Sequence, residues 1–219
     1  VRVIDNGYIM ETADAEHTHI CMLRTAGRVI DVLETHVWPR PYPVNWDWRK
    51  EFVAWAKNQH HDTLPMLREL YPPGVKSVHH YIHGDPTLSN VVYTRHGRVQ
   101  LIDPIAPTGK VPGLREVDIG KLLQSVIGWE HLMYGWPPPA PYVMTGVAHR
   151  FTDEELRRAV FWLGVHALRI LPYADKRPHA KRWALAVAAH IFESTEWRHP
   201  CSMLSTLMGL SRTLARQSR

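Results

Sequence analysis

His80-Tyr81-Ile82-His83-Gly84-Asp85-Pro86-Thr87-Leu88-Ser89-Asn90, followed one hairpin later by Leu101-Ile102-Asp103-Pro104, is the stretch on which the reading of this chain turns. β-Favourable runs at 77–82, 91–93 and 98–102 flank it, and His96-Gly97 supplies a turn between the last two. Asp85 and Asn90 stand five positions apart on a segment that Pro86 keeps out of regular strand, and Asp103 follows Asp85 by eighteen. Folding 91–102 back on itself would set Asn90 and Asp103 side by side, with Asp85 facing them across a shallow pocket. The reading therefore requires that these three side chains converge within reach of one divalent ion, with no salt bridge filling that place.

Two acids and an amide offer oxygen ligands, which suit a hard cation such as Mg²⁺. That ion takes only one or two protein groups and completes its shell with water and substrate phosphates. Chemistry of this kind is phosphoryl transfer, in which a protein mainly positions groups and neutralises charge, and one carboxylate accepts or orients the proton of the attacking hydroxyl. Asp85 fits the base; Asn90 and Asp103 fit the metal.

His83-Gly84-Asp85 with Asn90 resembles the H-G-D-x-x-x-x-N segment of the aminoglycoside phosphotransferase and choline kinase-like enzymes, the small-molecule side of the protein-kinase-like superfamily. Ile102-Asp103-Pro104 is similar to the I-D-P of that family, and Val117-Asp118-Ile119-Gly120-Lys121-Leu122 to its Y-D-L-A-K-L helix start. The resemblance implies an α+β, mostly helical fold: a kinase-like C-terminal lobe with a short β-hairpin carrying the catalytic and metal loops. It implies ATP or another nucleoside triphosphate with Mg²⁺ as cofactors. Asp85 and His83 would be the catalytic residues, Asp85 as the base and the His83 imidazole holding the loop through backbone hydrogen bonds, with Asn90 and Asp103 the metal ligands and Asp118 the brace behind the loop. Only fifteen residues separate Asp103 from Asp118 and no A-P-E is present, so a regulated protein Ser/Thr kinase is the weaker reading.

Upstream, Tyr8-Ile9-Met10-Glu11 looks like the last small-lobe strand running into the hinge, which would make Ile9, Met10 and Glu11 the nucleotide-contacting backbone. Residues 1–11 are then the end of a small lobe and the hinge, and 12–219 a single large helical lobe. The resemblance covers about 200 of the 219 residues but only the C-terminal part of the family's architecture. No Gly-rich phosphate loop and no strand Lys precede the hinge; the chain opens on Val1, which favours a fragment whose N-terminal lobe lies elsewhere in the same or another chain. The function expected is transfer of a phosphoryl group to a hydroxyl of a sugar, amino alcohol or aminoglycoside-like acceptor. A catalytically inactive kinase-like binding module is the alternative.

Elsewhere the pattern is helical. Apolar residues at three- and four-residue spacing predict two helices within 15–37, interrupted near Gly27, and one capped by Asn45 that carries Trp48, Phe52 and Trp55. Further helices are expected over 63–70 and 117–133, then a Pro-rich loop over 136–142, then three helices to the end. Thr152-Asp153-Glu154-Glu155 reads as a capping box and Pro178 as a first-turn proline. Trp129 and Glu130 are candidates for an acceptor wall. The pairs His60-His61 and His79-His80 chelate one ion poorly, because adjacent side chains diverge on either a strand or a helix.

Composition bounds the alternatives. With 45% hydrophobic and 21% charged residues the chain can bury a core, which excludes disorder as its dominant state. No apolar run approaches the roughly 20 residues of a membrane span. A net charge of +5 is spread over separate helices without a basic block, so neither nucleic acid nor a membrane is an expected partner. Two cysteines make no disulfide framework and no zinc site, and a cytoplasmic location is expected.

Overall fold

The computed structural model describes residues 2–4, 7–9, 15–39, 63–71, 80–93, 98–105, 111–135 and 140–216. The molecule is mostly helical, with three small two-stranded antiparallel sheets among the described residues. Strand β1 (Arg2–Ile4) pairs with β2 (Gly7–Ile9) in the antiparallel register Ile4 to Gly7, and Tyr8 and Ile9 lie in a strand as expected. β4 (Val91–Tyr93) pairs with β5 (Val99–Leu101), again as expected. The third sheet was not anticipated: β3 (His80–Ile82) pairs with β6 (Val111–Gly113), Tyr81 opposite Pro112. A central proline removes a ladder donor and argues against a strand in the sequence, but an outer strand tolerates it.

Helix α1 (Ala15–Val32) continues through a π-helical turn, Leu33–Val37, so a single helix replaces the two expected there. Gly27 does not break it, because a mid-helix glycine costs only about 1 kcal/mol. Ala26, Val29, Ile30 and Leu33, all fully buried, anchor the same face. α2 (Leu64–Leu70) matches expectation; the helix expected after Asn45 lies outside the described residues.

The C-terminal half forms the core. α3 (Arg115–Gln124) runs into a π-helical turn, Ser125–Trp129, and a short α4 (Glu130–Tyr134), broken at Gly128, whose φ is 133°. α5 spans Pro141–Ala148, so Pro141 and Tyr142 belong to a helix and not to the Pro-rich loop; proline at the first helical position loses no hydrogen bond. α6 (Asp153–Arg169) begins with the expected capping box, and α7 (Leu171–Ala174) is a further single turn. α8 (Pro178–Glu193) and α9 (Pro200–Arg216) complete the chain, with Leu204 and Leu207 of α9 in the core.

α3 crosses α6 at very short range. A Cβ on Gly120 would lie 2.8 Å from the Ala159 carbonyl oxygen and 2.9 Å from the Leu163 nitrogen, so backbone meets backbone there. Around the crossing, Leu122, Leu123, Phe161, Leu163, Trp183 and Ile191 are fully buried, each side chain contributing about 2–3 kcal/mol of transfer free energy. His166 of α6 donates from Nε2 to the Val117 carbonyl (2.9 Å), and burial keeps its imidazole neutral by pushing its pKa well below the usual value. These contacts fix the first turn of α3, from which the site is built.

Candidate active site

Asp118 lies in that first turn, wholly buried, and its carboxylate accepts three hydrogen bonds. Oδ1 takes the Gly84 N–H at 2.6 Å; Oδ2 takes the His83 N–H and the Trp38 indole N–H, each at 3.0 Å. Desolvation raises its pKa to about 6, against the pull of these three donors. The carboxylate thus grips two consecutive amides of the loop after β3, the bracing position the resemblance assigns to it. Gly84 adopts φ +82°, a left-handed conformation open to glycine, and a Cβ there would press within 2.9 Å of the Ile105 side chain. Trp38 closes a second contact, its carbonyl bonded to His80 Nδ1 at 2.8 Å.

The loop is pinned from its own side as well. The His83 ring is buried, Nδ1 accepts the Asp85 N–H at 3.3 Å, and Nε2 is buried without a partner among the described residues. Burial lowers the pKa of this ring, against the carboxylates of Asp85 and Asp103. A neutral, buried imidazole that shapes the turn is a structural part of the loop. Asn90 donates from Nδ2 to both the Asp85 carbonyl and Asp85 Oδ2, at 3.0 Å each. Both partners are acceptors, which sets the amide orientation and leaves Oδ1 as the atom Asn90 has to offer a cation. Thr87 and Ser89 share a hydroxyl contact at 3.0 Å that supports the same turn.

Asp103 arrives by way of the hairpin. The ladder of β4 and β5 extends one residue further, the Ile102 N–H bonding the Asn90 carbonyl at 3.0 Å, and Ile105 N–H then bonds the His83 carbonyl at 3.1 Å. Asp103 sits in the strap between these two bonds, one residue after the Ile102 that bonds Asn90, at φ 57°. It is the one non-glycine residue with positive φ among those described, an unfavourable conformation of the kind that gathers at functional sites. Its exposed side chain has no hydrogen bond or ion pair among the described residues.

Lys121, one helical turn after Asp118, was not anticipated. Its Nζ stands 3.2 Å from Asp85 Oδ1, with the lysine side chain largely buried. The contact is an ion pair without hydrogen-bond geometry, since Oδ1 remains without a hydrogen-bond partner. A salt bridge therefore occupies Asp85, one of the three side chains expected to converge on the ion. A spacing of three from Asp118 places Lys121 on the loop-facing side of α3 and could have signalled it.

Beneath the loop lies a second buried acid. Glu130 is fully buried and accepts a short hydrogen bond from the Ser125 hydroxyl, which in turn accepts the Leu88 N–H at 2.9 Å. Desolvation raises the Glu130 pKa to about 7, with Lys121 and Ser125 pulling the other way. Trp129 is buried too and packs on Trp183 at 5.9 Å between ring centroids. Both are buried and not on an open acceptor wall: Glu130 supports the loop from inside through Ser125, while Trp129 packs in the core on Trp183, after the π-helical turn and the kink at Gly128. Of the hinge expectation, Ile9 ends β2, while Met10 and Glu11 lie outside the described residues. His60, His61 and His79 do so as well, and the described residues contain no group of three His, Cys, Asp or Glu side chains able to hold a metal. A divalent ion here would depend on the Asn90 amide oxygen together with Asp103.

No family model, curated protein or solved structure matches this chain. No described helix is long and apolar enough to cross a membrane.

Proposed function

We propose that this chain functions as a small-molecule kinase, transferring the γ-phosphoryl group of ATP or another nucleoside triphosphate to a hydroxyl of a sugar, amino alcohol or aminoglycoside-like acceptor with Mg²⁺. The observation that carries the reading is the division of labour in one loop. Asp85 is held by Asn90 through Oδ2 and paired with Lys121 at Oδ1, while Asp103, which follows the Ile102 bonded to Asn90, has no hydrogen bond or ion pair among the described residues. Asp85, whose side chain is 32% exposed, would accept the proton of the attacking hydroxyl, and the Asn90 amide oxygen and Asp103 would hold the Mg²⁺. The metal would supply charge neutralisation on the phosphates. His83 and Asp118 touch neither; they hold the loop. The donor set fits Mg²⁺, which is content with one or two protein oxygens.

The ion pair between Lys121 and Asp85 favours a second reading, a non-catalytic binding module in which the base is permanently neutralised. A nucleotide titration with Mg²⁺ and a turnover assay over a panel of sugars, amino alcohols and proteins separates the two, run on this chain and on Asp103→Ala. Metal-dependent nucleotide binding lost in Asp103→Ala, with label appearing on a small hydroxyl compound, supports the kinase. Binding without turnover supports the module, label on protein alone would replace the acceptor class, and absence of any metal-dependent binding would sink both the metal site and the transfer reaction.

A further inference from the structure

Two aspartates and an amide around one metal pose a problem of assignment. A carboxylate close to a divalent cation will coordinate it unless its charge is already committed, and a base bound directly to the metal loses the lone pair it needs for a proton. Resting on the reading of the site given above, we propose that Lys121 is a positioning residue that withholds Asp85 from the metal and so assigns it the role of base.

Both oxygens of the Asp85 carboxylate are spoken for in different ways. Oδ2 accepts from Asn90 Nδ2 at 3.0 Å, and the charge on Oδ1 is met by Lys121 Nζ at 3.2 Å. A metal bound to Oδ1 would share that oxygen with an ammonium group, and like charges so close in a partly buried place repel strongly. Oδ1 is buried beside the ammonium, but Oδ2 keeps a second lone pair next to its Asn90 bond and the side chain is 32% exposed, so the carboxylate can still accept a proton there. Asp103 has no such cation beside it among the described residues, which leaves it to the metal. Lys121 cannot easily swing away: its side chain is 13% exposed, it springs from a helix locked against α6 at Gly120, and the buried Glu130 shares its field.

The test measures metal affinity, with Mn²⁺ as the probe, followed by electron paramagnetic resonance with and without ATP on the full chain. Lys121→Met keeps the length and apolar stem and removes the charge, so Mn²⁺ should bind at least about tenfold tighter as Asp85 joins the coordination shell. Asp85→Asn should change Mn²⁺ affinity less than about threefold in the parent chain but abolish the gain in the Lys121→Met background. Lys121→Arg, which keeps the charge, should retain the parent affinity, and thermal melts confirm that each variant is folded. An affinity for Lys121→Met equal to the parent's, or a large loss on Asp85→Asn in the parent, overturns the assignment of Lys121 while leaving the metal site standing. Failure of the parent to bind Mn²⁺ at all would instead remove the metal site itself, and the assignment with it.

Discussion

Replacing Asp118 by Asn removes a buried charge and one acceptor at the point where α3 grips the loop. The carboxylate accepts from Gly84, His83 and Trp38, but an amide offers one oxygen and turns an NH₂ toward the remaining donors. With the amide oxygen on Trp38 and His83, the NH₂ confronts the Gly84 N–H, and the lost bond and mismatch cost about 1–3 kcal/mol. Against that stands relief of the buried charge. The rise of the Asp118 pKa from 3.8 to about 6 corresponds to about 3 kcal/mol of penalty on the ionised form. At pH 7.5 the two nearly cancel, so the variant should be about as stable as the parent. The pH dependence is the sharper signature. A group whose folded-state pKa exceeds its unfolded value stabilises fully below the unfolded pKa, and that contribution is lost as pH climbs through the folded one. For Asp118 the window runs from about pH 4 to pH 6, and about 1.4 kcal/mol of its contribution survives at pH 5. Urea unfolding followed by tryptophan fluorescence at pH 5 and pH 7.5 should show the parent's advantage over Asp118→Asn shrinking by about 1.4 kcal/mol between them. Glu130 titrates alike in both chains and drops out of the difference. Stability curves that run parallel over this range would refute the account of Asp118 as a buried, titrating brace. On the proposed function, Asp118→Asn should also cut metal-dependent turnover at least about tenfold, because Gly84 moves and Asp85 follows it.

Two further substitutions probe the supports on either side. Gly120→Ala forces a methyl to within 3 Å of the α6 backbone and should destabilise by about 1–3 kcal/mol, read as a lower denaturation midpoint at unchanged slope; a neutral result would mean that the helices separate easily. Ser125→Ala strips Glu130 of its donor and the Leu88 N–H of its acceptor, both buried, for about 2–4 kcal/mol. Amide exchange at Leu88 should rise with it, and protection equal to the parent's would show that the hydroxyl is not what holds the loop.

What was legible in the sequence is what short-range geometry controls. A turn between two β-favourable runs brings the ends of a hairpin together whatever surrounds it, and so the pairing of β4 with β5 could be placed from spacing alone. The capping box at Thr152 is local for the same reason: a hydroxyl and a carboxylate three residues apart close on each other's orphan amides. The interruption expected at Gly27 failed because local preference was outweighed by burial of Ala26, Val29 and Ile30, and the loop expected through Tyr142 failed because a helix can begin at Pro141.

Lys121, Trp38, Ser125 and Glu130 belong to the other class. Trp38 reaches Asp118 across eighty positions of chain, and Lys121 meets Asp85 only because α3 is pressed on α6 at Gly120 and pivoted under the loop. Glu130 turns inward only because the helix changes pitch at the π-helical turn and breaks at Gly128. The sequence alone determined that a hairpin would follow the loop of Asp85 and Asn90 and lead on to Asp103, since chain connectivity and turn chemistry act within a few residues. The tertiary structure decided which of the two aspartates is neutralised and which is left open, since that depends on the approach of a distant helix, and its approach is set by the packing of a whole core.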